Sequence, residues 1–122
     1  EYLALWQLTI DHFKKRGLHN ILYAYSAAGN FTTTKEYLER YPGNASIDIL
    51  GFDSYQNGTK GRDRYVKSVA QGLNIVVPIA LEYGKLRILA ETGMGAIPDP
   101  KWWTETLWLL LEKHRISYVL FW

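Results

Sequence analysis

Hydrophobic positions along the chain fall into short continuous runs that alternate with stretches of helical spacing. The first helical stretch is residues 1–16, where apolar side chains recur every three or four positions: Leu3, Trp6, Ile10 and Phe13. A shorter helix is predicted to begin after Thr33 and end near residue 40, because Thr33 and Glu36 have the spacing of a capping box. A further helix is predicted over residues 99–114, since Asp99 and Pro100 supply an N-cap acceptor and a first-turn proline.

Residues 63–83 support two interpretations. The run at residues 73–78 is β-prone by composition, but the apolar positions of the whole segment also fit one helical stripe. A strand there would leave fewer than the roughly ten residues that a crossover to the next strand needs. We therefore predict one long helix over residues 63–83, distorted at Gly72 and Pro78.

Four apolar runs separated by these helices are predicted to be strands. They cover residues 20–26, 47–52, 86–91 and 116–122. The alternation of strands and helices implies a parallel sheet, and runs without polar alternation suit burial on both faces. Two architectures fit this order: a small doubly wound sheet, or part of a (β/α)8 barrel. The start inside a helix and the end on a strand favour a barrel segment.

Composition restricts the functional classes. The length of 122 residues favours one domain, and a hydrophobic content of 48% favours a folded chain. A net charge of +2 gives no support for a nucleic-acid partner, and no apolar run is long enough to span a membrane. The chain lacks cysteine, and its three histidines are not paired at metal-binding spacing. We therefore predict no metal site and no cofactor.

Aromatic residues make up 15% of the chain, which suits core packing and also suits stacking against sugars. Composition does not separate these two uses. Trp102 and Trp103 fall on a predicted helix, so we expect them to pack rather than to bind sugar.

The candidate chemistry lies at the ends of the predicted strands. In parallel α/β folds the functional site forms at the C-terminal ends of the strands. Those ends hold Ser26, Asp53, Tyr55, Glu91 and Trp122. A carboxylate can attack an anomeric carbon, a phenol can orient it, and an indole can form the floor of a sugar subsite. This set of side chains is typical of a glycosidase.

Each of these side chains also has a purely structural interpretation. Glu91 could cap the following helix or form a salt bridge, and Asp53 could form a turn where its strand ends. Tyr55 could be a core aromatic residue with a satisfied hydroxyl, and Trp122 a buried residue at a strand end. The sequence pattern alone leaves both sets of interpretations open.

Five segments follow one another in an order that points to a known enzyme family. They are YLERYPG at residues 37–43, IDILGFDSY at 47–55, LAETG at 89–93, KWW at 101–103 and ISYVLFW at 116–122. Together they resemble glycoside hydrolase family 26 along nearly the whole chain. The resemblance implies a retaining endo-β-1,4-mannanase with a (β/α)8 barrel, acting on mannan, galactomannan or glucomannan.

The resemblance also implies individual roles. Glu91 is expected to be the nucleophile, Tyr55 to hydrogen-bond to it, and Trp122 to line the sugar subsite beside the cleaved bond. Asp53, at the same rim, is predicted to bind substrate. In the family the acid/base Glu follows a His on the strand before the helix that opens this sequence. We therefore expect residues 1–122 to be a partial barrel, from roughly the fourth helix to the eighth strand.

A partial barrel has consequences for activity and for partners. One carboxyl of the pair that a retaining hydrolase needs is expected to lie outside the chain, so these residues alone are expected to be inactive or poorly active. Their open sheet edges are expected to pair with the rest of the barrel or with a second copy. The family resemblance implies a secreted, periplasmic or cell-surface location.

Two alternatives stay open. One is a non-catalytic carbohydrate-binding fragment that uses Tyr55 and Trp122 as a platform for sugar. The other keeps the family and changes the substrate, to β-1,3-xylan or a mixed-linkage glucan.

Overall fold

The computed structural model describes residues 1–122 as one four-stranded sheet with helices between the strands. The strands are β1 (Ala24–Ala28), β2 (Ile49–Gln56), β3 (Leu86–Met94) and β4 (Tyr118–Phe121). All neighbouring strands are parallel, and their order in the sheet follows their order in the chain. The sheet therefore confirms the predicted α/β class, and it shows no reversal of strand order of the kind that defines a doubly wound sheet.

Helices precede and connect the strands. They are α1 (Tyr2–Lys15), α2 (Thr34–Tyr37), α3 (Arg62–Glu82), a π-helical segment (Trp103–Trp108) and α4 (Leu109–Leu111), with 3-10 turns at Asn44–Ser46 and Thr59–Gly61. The predicted helix over residues 63–83 is confirmed, since α3 is one continuous helix that includes Pro78. No helix of the chain is both long and apolar enough to cross a membrane.

The core lies between α3 and the sheet. The buried stripe of α3 repeats every three or four residues and includes Val69, Leu73, Val76 and Ala80. Gly72 lies on the same side of the helix, where an added Cβ would come within 2.5 Å of the Phe52 ring. The close contact of α3 with β2 therefore depends on a residue without a side chain.

The predicted start of β1 at residue 20 is wrong. The N–H of Tyr23 donates to the Asp48 carboxylate at 2.8 Å, so this residue is held by a side chain before the strand begins. The strand starts at Ala24 and runs on through Ala28, which the sequence pattern predicts to be loop. Ser26 consequently lies in the middle of β1 rather than at its end.

The strands β2 and β3 run past their predicted ends. β2 continues to Gln56, and β3 continues through Thr92 and Gly93 to Met94. The core-facing side chains of these additions are buried: Ser54, Gln56 and Thr92 are at most 8% exposed. Polar and glycine residues predicted to form loops are therefore strand residues, and their polar groups are satisfied inside the fold.

The predicted α-helix over residues 99–114 is also partly wrong. Asp99 acts as the expected acceptor, because its Oδ1 accepts the Lys101 N–H at 2.9 Å. The segment that follows is π-helical, and it buries Trp102, Thr106 and Leu107. The turn of a π-helix is wider than that of an α-helix, so positions four and five residues apart share a face.

Candidate active site

An irregularity in β3 determines the direction of Glu91. Phe52 of β2 pairs with Leu89, but the next residue, Asp53, pairs with Glu91. Ala90 is therefore an extra residue with no partner on β2, and a matching shift separates β3 from β4 in the same region. One unpaired extra residue between two parallel partners is a β-bulge, and it reverses the facing of every side chain after it.

The bulge places Glu91 on the face of the sheet opposite α3. Leu89 lies in the core beneath α3. Regular alternation would turn Glu91, two residues later, towards that same core. Because Ala90 is extra, Thr92 occupies the core-facing position and is fully buried, while Glu91 reaches the other face and meets Tyr55.

Tyr55 is the hydrogen-bond partner of Glu91, as the family resemblance implies. The phenol O–H donates to Oε2 of the Glu91 carboxylate. This hydrogen bond, more than burial or the nearby negative charges, raises the pKa of Tyr55 to about 12. The phenol therefore remains protonated at neutral pH and acts as a donor. Tyr55 is 40% exposed, so its interpretation as a core aromatic residue is wrong.

Asp53, two residues before Tyr55 on β2, links this group of polar side chains to Ser26 on β1. Its Oδ1 accepts a hydrogen bond of 2.7 Å from the hydroxyl of Ser26, and Glu91 is its partner on β3. Burial raises the pKa of Asp53, and the charge of Glu91 raises it further, whereas the Ser26 hydrogen bond lowers it. Asp53 lies within β2, so its interpretation as a turn residue is wrong.

Trp122 follows β4 and is held against β3 by its backbone. Its N–H donates to the carbonyl of Thr92 at 3.0 Å. An added Cβ on Gly93 would lie 2.4 Å from the Trp122 carbonyl oxygen, so the close approach of Trp122 depends on glycine at this position. The Trp122 side chain is 85% exposed, which contradicts the buried interpretation.

The structural interpretations of Glu91 are likewise wrong. Glu91 lies within β3, so it does not cap a helix. The salt bridge that the chain contains joins Lys101 to Glu105 and does not involve Glu91. The carboxylate instead accepts the hydroxyl of Tyr55 on the sheet face that also carries Asp53.

The pattern of strands and helices does not predict the buried polar contacts beneath this face. The hydroxyls of Tyr65 and Thr92 lie 2.6 Å apart, and both residues are almost completely buried. Nearby, the Trp102 indole N–H donates to Oε1 of Gln56 at 2.8 Å. Trp102 is 1% exposed, so its expected packing role is confirmed. The sequence signal for these contacts is weak, because polar residues at strand ends resemble loop residues.

A parallel sheet that presents a phenol-bonded carboxylate, a second carboxylate and an exposed indole has the features of a glycoside hydrolase. The model of glycosyl hydrolase family 26 matches residues 1–107, and the chain belongs to this family. The predicted resemblance is therefore confirmed.

Solved structures of the family share the fold. A GH26 beta-mannanase from Bacteroides ovatus superposes with a TM-score of 0.93 and 42% identity over 98% of this chain and 34% of that chain. GH26C from a Muricauda species gives a TM-score of 0.86 and 34% identity, over 99% of this chain and 34% of that chain. The predicted fold class, a portion of a (β/α)8 barrel, is confirmed.

A curated relative is the mannan endo-1,4-beta-mannosidase of Bifidobacterium adolescentis. It is 33% identical over 97 residues, which cover 76% of this chain and 10% of the relative. The chain thus spans about a third of the length of the two solved structures and about a tenth of this relative.

Proposed function

We propose that these residues belong to the catalytic domain of a retaining endo-β-1,4-mannanase that cleaves internal bonds of mannan, galactomannan or glucomannan. The hydrogen bond from Tyr55 to Glu91, on the sheet face opposite the core, is the observation that supports it most directly. The names of two relatives, a mannan endo-1,4-beta-mannosidase and a beta-mannanase, support the choice of substrate.

In the proposed reaction Glu91 is the nucleophile. Its carboxylate attacks the anomeric carbon while the bond to the leaving oxygen breaks, and a general acid gives that oxygen its proton. The product is a glycosyl ester on Glu91. Water, which loses a proton to the same acid/base group, then attacks the anomeric carbon and releases the carboxylate with retained configuration. Tyr55 orients Glu91 throughout, because its phenol O–H donates to Oε2.

We propose that the acid/base group comes from outside these 122 residues. Asp53 is the carboxylate paired with Glu91, but both lie on neighbouring strands and face the same side of the sheet. A retaining hydrolase needs its two carboxyls on either side of the scissile bond, about 5–5.5 Å apart. Asp53 also accepts the hydroxyl of Ser26, which suits a group that orients substrate.

The substrate-binding role falls to Asp53 and Trp122. The exposed indole of Trp122 offers an apolar face against which the C–H face of a pyranose can pack. Ser26 donates to Oδ1 of Asp53, and the other carboxylate oxygen of Asp53 can accept hydrogen bonds from sugar hydroxyls. Asp53 is the cross-strand partner of Glu91, and the Trp122 backbone is bonded to Thr92, the residue after Glu91, so both residues fit the subsite next to the cleaved bond.

The proposal includes the rest of the barrel. These residues correspond to the part from roughly the fourth helix to the eighth strand, and the open edges of the sheet would pair with the remaining strands or with a second copy. By themselves the residues are expected to be inactive or poorly active. A secreted, periplasmic or cell-surface location suits an enzyme that degrades polysaccharide.

The test uses the complete catalytic domain, meaning these residues together with the remainder of the barrel. Wild type is expected to release reducing ends from β-mannan, and Glu91→Ala is expected to lose that activity while still binding mannan in affinity electrophoresis. Parallel assays on β-1,3-xylan and mixed-linkage glucan separate the other substrates of the family. Wild type that binds mannan but cuts none of the three polysaccharides would overturn the proposal in favour of a carbohydrate-binding role.

A further inference from the structure

Thr92 links the proposed nucleophile, Glu91, to the proposed sugar-binding residue, Trp122. It is bonded covalently to Glu91, and its carbonyl accepts the backbone N–H of Trp122 at 3.0 Å. Its hydroxyl lies 2.6 Å from that of Tyr65 on α3. Thr92 is completely buried and Tyr65 is 2% exposed, so no water competes for this contact.

We propose that the hydrogen bond between Tyr65 and Thr92 positions Glu91 for attack, an inference that rests on the proposed function. The two residues do not touch the sugar. Their contact holds the strand at the residue that directly follows Glu91, so Tyr65 and Thr92 are positioning residues rather than catalytic ones.

The bulge explains why β3 needs such a contact. An extra residue in a strand can be accommodated at more than one place, and each choice turns a different set of side chains to the outer face. Glu91 faces the site because the extra residue is Ala90, which comes before it. A polar contact that holds Thr92 against α3 fixes the chain directly after Glu91 and keeps the extra residue in place.

Tyr65 is also linked, through Trp102, to the strand that bears Tyr55. Its ring packs against that of Trp102 with centroids 5.7 Å apart, and the Trp102 indole N–H donates to Gln56, the residue after Tyr55. Tyr65 is therefore linked to β3 through its own hydroxyl, and to β2 through the indole of Trp102. Tyr65 is thus linked to the residue that follows each partner of the Tyr55–Glu91 hydrogen bond: to Thr92 directly and to Gln56 through Trp102.

The hydroxyl of Tyr65 is suited to a permanent contact. Burial raises the pKa of Tyr65 to about 12, so the phenol keeps its proton at neutral pH. A buried hydroxyl that loses its hydrogen-bond partner finds no water to replace it, and this costs free energy. The contact with Tyr65 therefore restricts the Thr92 side chain to one orientation. Tyr65→Phe removes only this hydroxyl and leaves the ring against Trp102.

The experiment compares Tyr65→Phe and Thr92→Val in the complete catalytic domain with β-mannan as substrate. Small displacements of a reacting group reduce the chemical step strongly, so we expect kcat to fall about ten- to a hundredfold with KM changed by less than about twofold. Thr92→Ser keeps the hydroxyl and is expected to retain most of the wild-type kcat. The double variant is expected to be little worse than either single variant, because both remove one contact.

Tyr37→Phe is the matched control. Tyr37 is a fully buried tyrosine on α2 whose O–H donates to the Gly51 carbonyl at 3.1 Å, away from Glu91. We expect it to lower the melting temperature about as much as Tyr65→Phe and to leave kcat unchanged. Equal effects of Tyr37→Phe and Tyr65→Phe on kcat, or no effect of Tyr65→Phe, would show that the contact serves stability alone.

A second measurement applies if Tyr65→Phe folds poorly. A 2-deoxy-2-fluoro-mannosyl fluoride labels the nucleophile covalently, and mass spectrometry gives both the labelled fraction and the rate constant. Loss of folded protein lowers the labelled fraction, whereas misplacement of Glu91 lowers the rate constant, which is our expectation for Tyr65→Phe. A wild-type domain that neither cuts mannan nor is labelled at Glu91 overturns the proposed function. An active wild type with an unchanged labelling rate in Tyr65→Phe overturns only the positioning role.

Discussion

Asp53 lies directly opposite Glu91, so that two carboxylates are neighbours on adjacent parallel strands. Neither forms a salt bridge, and each accepts a hydroxyl hydrogen bond: Asp53 from Ser26, and Glu91 from Tyr55. Two carboxylates that face each other without a cation repel, and their hydroxyl partners offset part of that repulsion. The arrangement therefore reduces the stability of the fold at this position.

The first prediction concerns the pH dependence of stability. Burial and the charge of Glu91 raise the pKa of Asp53, so the folded state binds this proton more tightly than the unfolded state does. Ionisation of Asp53 therefore lowers stability as pH rises from the usual value of 3.8 through the raised one. Asp53→Asn cannot ionise and keeps an oxygen for Ser26, so we expect it to be more stable than wild type at neutral pH.

The measurement is the free energy of unfolding of the complete domain in urea across a pH series. The advantage of Asp53→Asn is expected to shrink as the pH falls and to disappear below pH 3.8, where Asp53 is protonated in both states. An advantage that stays constant over the series would show that its origin is packing rather than charge.

Tyr55→Phe tests the phenol. The change removes the hydroxyl that donates to Glu91 but leaves the ring. A missing donor at a reacting carboxylate is expected to lower kcat on β-mannan about ten- to a hundredfold, as steady-state kinetics would measure. Tyr118→Phe is the control, because Tyr118 is 47% exposed on β4 and lies opposite Ile88, before the bulge. A loss of equal size in the two variants would contradict a specific role for Tyr55.

The phenol also gives a spectroscopic prediction. Because its hydrogen bond to Glu91 raises the pKa of Tyr55 to about 12, Glu91→Gln is expected to lower that pKa towards its ordinary value of 10.0. The difference in phenolate absorbance between Glu91→Gln and a Tyr55→Phe/Glu91→Gln double variant reports this one titration. An identical difference spectrum in the wild-type background would mean that Glu91 does not control the phenol.

The sequence allowed the candidate residues of the proposed site to be named, but it did not allow the direction of Glu91 to be worked out. Strand ends and family segments identified Asp53, Tyr55, Glu91 and Trp122 as candidates. Strict alternation from Leu89 would have turned Glu91 into the core, and nothing in the local pattern marks Ala90 as the extra residue. The bulge is defined by pairing with two other strands, and this information is tertiary.

The difference between local sequence pattern and tertiary contact also explains why some strand boundaries were predicted wrongly. The helix α3 was predictable, because its apolar stripe is long and the crossover length argued against a strand. Thr92 and Gly93 resemble loop residues, yet they are buried strand residues since Tyr65 satisfies one and Trp122 needs the space beside the other. Contacts that are distant in sequence overrode local propensity there.

Trp122→Ala tests the proposed sugar platform. The side chain is 85% exposed, so its removal is expected to leave folding stability nearly unchanged. Loss of an aromatic face that packs on a sugar is expected to lower kcat/KM on β-mannan by on the order of tenfold. Trp108→Ala is the control, because Trp108 is a 58% exposed tryptophan on the π-helical segment, away from the site. Activity equal to wild type in Trp122→Ala would remove Trp122 from the substrate-binding set.

Gly93→Ala tests the approach of β4 to β3. The new Cβ would lie 2.4 Å from the Trp122 carbonyl oxygen, which is backbone and cannot swing away as a side chain would. Overpacking of this kind is expected to cost about 1–3 kcal/mol of stability and to displace Trp122, with a fall in kcat/KM. Gly95→Ala is the matched control, since a Cβ at Gly95 meets nothing within 4 Å. Chemical denaturation and kinetics on β-mannan measure both effects, and a Gly93→Ala variant as stable and active as Gly95→Ala would show that β4 does not need this approach.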